Sequence, residues 1–242
     1  MNALAATVAL YLKVSARAAE LVARNWMVLA TVLVYAVILS GASAALALTA
    51  VGGPFFALGS GLLMTLIRAA CIGSFLYLVE MMIRTSRVNL TDFRRSFGVY
   101  LWDVIGVSFV LWIFFRLIGP LIAASPLGPR IMVAIQIALV VFLNAVPELI
   151  YLGHYSTLAL LGESYRFISE NWIEWFPPNF VLLAVLYLVF LPQTDGVLWL
   201  LLQATVAALA VYFFMVLRGL LFLELSGSSR RSRTFRYRMG QS

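Results

Sequence analysis

The feature that most constrains this chain is a series of six apolar runs, covering residues 26–50, 55–83, 99–122, 131–153, 179–191 with its flanks, and 197–225. A bilayer core of about 30 Å needs about 20 apolar residues in a helix. Because lipid offers no hydrogen bonds, the backbone of such a segment must satisfy itself, which a helix does. The expectation is an all-α, polytopic membrane protein with six transmembrane helices in one domain, residues 1–225, followed by a basic tail, residues 226–242. The fifth run is the shortest, because Pro177 and Pro178 precede it and Pro192 ends it; proline removes a backbone donor and clashes with the preceding turn. Composition closes off the alternatives. With 63% hydrophobic and 11% charged residues, against roughly 25% charged in soluble domains, the chain is neither a water-soluble globule nor a disordered segment. A single cysteine, Cys71, excludes a disulfide scaffold.

Cations mark the cytoplasmic side of short loops. Six crossings place Lys13, Arg17, Arg24, Arg84, Arg87, Arg94, Arg95, Arg166, Arg230, Arg231, Arg233, Arg236 and Arg238 on one side and only Arg130 on the other, thirteen against one. Both termini are therefore expected in the cytoplasm, with the protein in the inner membrane. The N-terminus does not read as a cleaved signal peptide, since its cations follow the apolar stretch. The external connections are short Gly/Pro turns around Gly52-Gly53-Pro54, Ser125 to Pro129 and Pro192 to Gly196, which leaves little to bind from outside.

The cytoplasmic connections are long enough for interfacial amphipathic helices. The first, residues 4–24, sets Leu10, Val14 and Leu21 against Lys13, Arg17, Glu20 and Arg24. The second, residues 89–97, begins at Asn89 or Thr91, either of which is a helix cap. The third, residues 157–176, places Glu163, Arg166, Glu170 and Glu174 on a polar face, with Trp172 and Trp175 at the interface. Each precedes a two-span hairpin, and Phe75 to Glu80 parallels Leu149 to His154, so a threefold hairpin repeat is suggested.

Ionisable groups within spans cost roughly 2.5–3.5 kcal/mol each at the centre on insertion scales, so each is a functional candidate. Glu80, Asp103, His154, Arg218 and Glu224 lie near cytoplasmic span ends and Arg116 near an outer end, where snorkelling explains them. Arg68 is central in its span. Glu148 is its nearest counter-charge, offset by about 7–8 Å at 1.5 Å per residue, with Asn144 one turn away. An Arg68–Glu148 pair is thus expected, either fixing helix register or serving a ligand or conducted ion. Pro147, in the same stretch, frees carbonyls near residues 143 and 144, which kinks the helix or opens a polar pocket. Gln136 and Gln203 read as cross-helix hydrogen bonders, and Gly59, Ser60 and Gly61 as a close-packing patch.

No metal or cofactor is expected: the one histidine and one cysteine are 83 positions apart and no ligand cluster has metal spacing. There is no phosphate loop, and Ser156 and His154 point to different helix faces, so the chain does not read as an enzyme. The tail, with Arg230, Arg231, Arg233, Arg236 and Arg238 around Phe235 and Tyr237, is expected on anionic lipid headgroups, at about 1 kcal/mol per basic residue; other membrane subunits are further candidate partners, and nucleic acid is not expected.

The entry helix, the linker Thr91-Asp92-Phe93-Arg94-Arg95-Ser96-Phe97 and the segment from Glu163 to Trp172 resemble bacterial six-span membrane proteins of unassigned function. That group includes the membrane domain fused to some glycerophosphoryl diester phosphodiesterases. The catalytic domain has no counterpart here, so the resemblance implies architecture and no reaction. The leading expectation is a non-enzymatic membrane protein that organises or assists a membrane process. The competing one is a permease-like subunit of the ABC exporter type, moving a lipid or small molecule with a separate ATPase; the loop between spans five and six is too short for the re-entrant hairpin of that class. A lipid-modifying enzyme is the third, disfavoured by the lack of clustered acid and base groups.

Overall fold

The computed structural model describes residues 3–50, 53–153, 155–191 and 196–227, and among these no strand occurs. The helices are α1 (Ala3–Arg24), α2 (Met27–Ala50), α3 (Pro54–Thr85), α4 (Leu90–Val99), α5 (Leu101–Ala123), α6 (Gly128–Phe142), α7 (Val146–Leu152), α8 (Thr157–Phe190) and α9 (Val197–Ser226). Six stretches are long and apolar enough to cross a membrane: Met27–Leu48, Phe55–Thr85, Leu90–Ala123, Gly128–Leu152, Thr157–Phe190 and Val197–Ser226. The chain is an all-α polytopic protein. The basic tail with Arg230, Arg231, Arg233, Arg236 and Arg238, and His154, lie outside the described residues.

The fifth stretch differs most from its expected form. The anticipated linker helix and the short span after it are one continuous helix of 34 residues, α8, with Pro177 and Pro178 inside it. At 1.5 Å per residue it is about 51 Å long, well beyond the hydrocarbon thickness. At Pro178 the carbonyl left without its helical donor, that of Glu174, accepts instead from the Tyr11 hydroxyl of α1 at 2.8 Å. The fourth stretch is the reverse case. It breaks between α6 and α7, where Val146 N bonds Leu143 O (3.1 Å) in a tight turn, as Pro147 predicts. The main-chain carbonyl of Phe142 then accepts the Ser164 hydroxyl at 2.8 Å.

The chain divides into two compact units. Unit 1 comprises Met1–Ile38, Leu78–Asp92 and Asn171–Ser242. Its buried side chains include Leu10, Val14, Ala18 and Leu21 of α1, Leu78, Val79 and Met82 at the end of α3, Trp175 of α8, and Tyr212, Leu217, Leu221 and Phe222 of α9. On α1 these positions follow a spacing of four, four and three, one helical face, while Lys13, Arg17, Glu20 and Arg24 are exposed.

Unit 2 comprises Leu39–Tyr77 and Phe93–Glu170. Its buried groups include Ala69, Cys71, Leu76, Val104, Leu149, Tyr151 and Leu160. Two glycines allow close approach between its helices: a Cβ on Gly73 would come within 3.1 Å of the Tyr100 carbonyl carbon, and one on Gly106 within 2.7 Å of Thr157 Oγ1. Ser74 and Ser96 bond hydroxyl to hydroxyl in the same region. In unit 1, between Asn89 and Asp92, the expected helix start is built as half a capping box, the Asp92 carboxylate accepting the Asn89 N–H at 2.8 Å.

Candidate functional site

The polar candidates inside the spans fall into three settings. Arg68 is exposed on α3, makes no ion pair or hydrogen bond among the described residues, and is not joined to Glu148. The expected Arg68–Glu148 pair is therefore corrected. The reason lies in where each helix becomes enclosed: buried positions on α3 begin at Ala69, one residue past Arg68, whereas Glu148 belongs to the buried stretch from Ala145 to Tyr151 and is 0% exposed. Asn144 and Pro147, half-buried, flank the break that turns Glu148 into this enclosed segment. Pro147 acts as expected on the backbone, and the freed carbonyl that the structure caps is that of Phe142, two positions before Asn144.

The second setting, in unit 1, is a cluster that the sequence does not reveal. Arg218 was expected to snorkel; instead it is 8% exposed. Its guanidinium donates to Asn179 Oδ1 at 3.0 Å and lies 5.1 Å from the centre of the Trp175 ring, within cation–π range. Asn179 Nδ2 in turn donates to the Trp175 carbonyl at 2.7 Å, and Phe222 meets the same indole edge-on at 6.4 Å. One turn earlier on α8, the Glu174 carbonyl accepts the Tyr11 hydroxyl at 2.8 Å. Removal from water, reinforced by the nearby Glu174 charge, pushes the Tyr11 phenol up to about 12.

Beside this cluster lies a cavity of about 300 Å³ walled by Tyr11, Val14, Pro177, Pro178, Phe214 and Leu217. A shallower furrow of about 530 Å³ lies between Ala19, Val22 and Ala23 of α1 and Val206, Leu209 and Phe213 of α9. Phe213 borders both. The order of the lining residues shows α1 and α9 running antiparallel. Both hollows are apolar.

The third setting is a backbone clasp, also in unit 1. Asn25, 7% exposed, donates to Leu21 O (2.8 Å) and Ser86 O (3.3 Å) and accepts from Val88 N (2.9 Å). Ser86 has φ 62°, a left-handed conformation that costs a non-glycine residue about 1–2 kcal/mol. Arg17 reaches its hydroxyl at 2.9 Å while paired with Glu20 at 2.7 Å. The Tyr212 hydroxyl donates to the Asn25 carbonyl at 2.9 Å and lies 3.1 Å from Met82 Sδ. Gln203, as expected, bonds across helices, to Val189 O at 2.8 Å.

Among the described residues, no group of three or more His, Cys, Asp or Glu side chains is placed to hold a metal ion. Two of the buried polar groups complete main chain at a turn or a helix break, Asn25 at Ser86 and Val88 and Ser164 at Phe142, while Arg218 and Asn179 pair side chain to side chain. No protein-family model matches the sequence, no curated protein matches it, and no solved structure matches it.

Proposed function

We propose that this chain is a non-enzymatic integral membrane protein that organises or assists a complex within the bacterial inner membrane, its termini and basic tail at the cytoplasmic face. The observation that carries this reading is the unused apolar surface of its spans. Within the third candidate span, Leu90–Ala123, none of the most apolar window is buried inside the chain, against half in the sixth. Trp102, Phe109, Trp112 and Leu117 of α5 and Ile137 and Val140 of α6 are all exposed. Such helices suit contact with lipid and with other membrane subunits. On α1, the exposed charged positions opposite Leu12 and Val8, both exposed and apolar, suit a helix lying in the headgroup layer, where anionic lipid attracts its cations.

The permease-like alternative draws on α4, a ten-residue helix between candidate spans two and three that exposes Arg94 and Arg95, as a coupling helix on an ATPase would. Purification from native membranes in a mild amphipathic polymer, with quantitative mass spectrometry, separates the two. The organising role predicts a stoichiometric complex with other integral membrane proteins. A stoichiometric ATPase together with ATP-driven flux in vesicles overturns it in favour of transport, and a chain isolated without any integral partner contradicts it.

A further inference from the structure

Arg68 is the only charged residue in the 25 positions from Phe55 to Val79. It is exposed on α3 and meets no counter-charge among the described residues. Thirteen uncharged residues precede it in that run and eleven follow, about 20 Å and 16 Å of helix at 1.5 Å per residue. Neither end is within the span of an arginine stem, so a lipid phosphate is a poor counter-charge, and a guanidinium in hydrocarbon demands a partner.

The surroundings specify that partner. Leu58, Gly61, Thr65, Arg68 and Ile72 are all exposed and recur at intervals of three and four, the repeat of a seam between two packed helices. A Cβ on Gly61 would meet nothing within 4 Å, so the seam is open at that point. Among the described residues a second copy offers no carboxylate suited to mid-bilayer. Glu80, Glu148 and Glu174 are buried, and Asp103 and Glu224 sit two residues from the ends of α5 and α9. Glu20 and Glu163 are paired with Arg17 and Arg166, and Asp92 and Glu170 lie on α4 and on the part of α8 before Pro177 that the sequence assigns to the interface.

We infer that the Leu58–Ile72 face of α3 docks a transmembrane helix of a different membrane protein, one that carries a carboxylate near mid-bilayer to pair with Arg68. This rests on the organising role proposed above and names the chemistry of one partner.

The test uses the full chain, fluorescently labelled, in phosphatidylcholine vesicles with an acceptor-labelled polyleucine transmembrane peptide carrying one central glutamate. Energy transfer should report binding about tenfold tighter than to the all-leucine peptide, the scale of an intramembrane polar contact. Moving the glutamate to the peptide's end should abolish the advantage, as should Arg68→Leu, while Arg68→Lys retains part of it. Equal binding of the two peptides, or an unchanged preference in Arg68→Leu, overturns the inference. Arg68-dependent self-association of the chain assigns the face to a second copy and overturns it, as does loss of the preference when anionic lipid is added. A native complex found without any glutamate preference defeats this inference and leaves the organising role standing.

Discussion

Tyr11 donates its hydroxyl, at 2.8 Å, to the main-chain carbonyl of Glu174, the acceptor that residue 178 would serve in an unbroken helix and that Pro178, lacking an N–H, cannot. One side chain on α1 thus repairs α8 where its sequence would stop it. Tyr11→Phe should lower stability by about 1 kcal/mol, the net worth of one hydrogen bond, read as a fall in the melting temperature of the detergent-solubilised protein. In a Pro178→Ala background the restored N–H serves the carbonyl, and the same substitution should be nearly silent. Equal losses in both backgrounds would show that the hydroxyl acts otherwise.

The same contact gives a pH dependence. Because the folded-state phenol is raised from its ordinary value near 10 to about 12, the folded state holds its proton more tightly than the unfolded chain. The contribution is complete below pH 10 and is lost as pH rises from about 10 towards about 12. The melting-temperature gap between the parent and Tyr11→Phe should be constant from pH 7 to 9 and close over that alkaline window. A gap that widens there contradicts the assignment.

Asn25 holds Leu21, Ser86 and Val88 through one amide. Asn25→Leu leaves the part-buried Ser86 carbonyl and Val88 N–H without their side-chain partner and should cost about 1–3 kcal/mol, since unsatisfied groups are expensive. Limited proteolysis should then cut near residues 86–88 faster than in the parent. Unchanged cleavage would show that the turn stands without its clasp.

Gly73 and Gly59 make a paired test of packing. A methyl on Gly73 meets Tyr100 backbone at 3.1 Å, which cannot swing aside, and one on Gly59 meets nothing within 4 Å. Gly73→Ala should destabilise by about 1–3 kcal/mol, the usual range for overpacking. Gly59→Ala should be neutral or slightly stabilising, because alanine is the better helix former. Thermal unfolding of both variants decides it.

These residues also mark what was legible in the sequence. The six spans were, because each is written in a mostly apolar run, the fifth being the shortest at residues 179–191 with its flanks, and such a run needs no knowledge of its neighbours. The break at Pro147 was legible too, since a proline acts on its own helix. Pro177 and Pro178 carry the same local signal, yet α8 runs through them, because the rescuing group, Tyr11, lies 163 positions away and no periodicity points to it. Arg218 looked like a snorkelling end residue until Trp175 and Asn179 enclosed it. Arg68 and Glu148 looked like partners because matched depth is readable and the onset of burial at Ala69 is not. The Pro-Pro step itself was the one available hint, since it required a donor from somewhere in the chain.

In the proposed topology the chain threads the bilayer repeatedly, with the turn at Ser86 inside and the turn at Ser125 outside. Single-cysteine labelling in a Cys71→Ser background, with a membrane-impermeant maleimide applied to intact cells and then to inverted vesicles, tests it most directly. Ser125→Cys should react from outside only and Ser86→Cys from inside only. Labelling of both positions from the same side would contradict it.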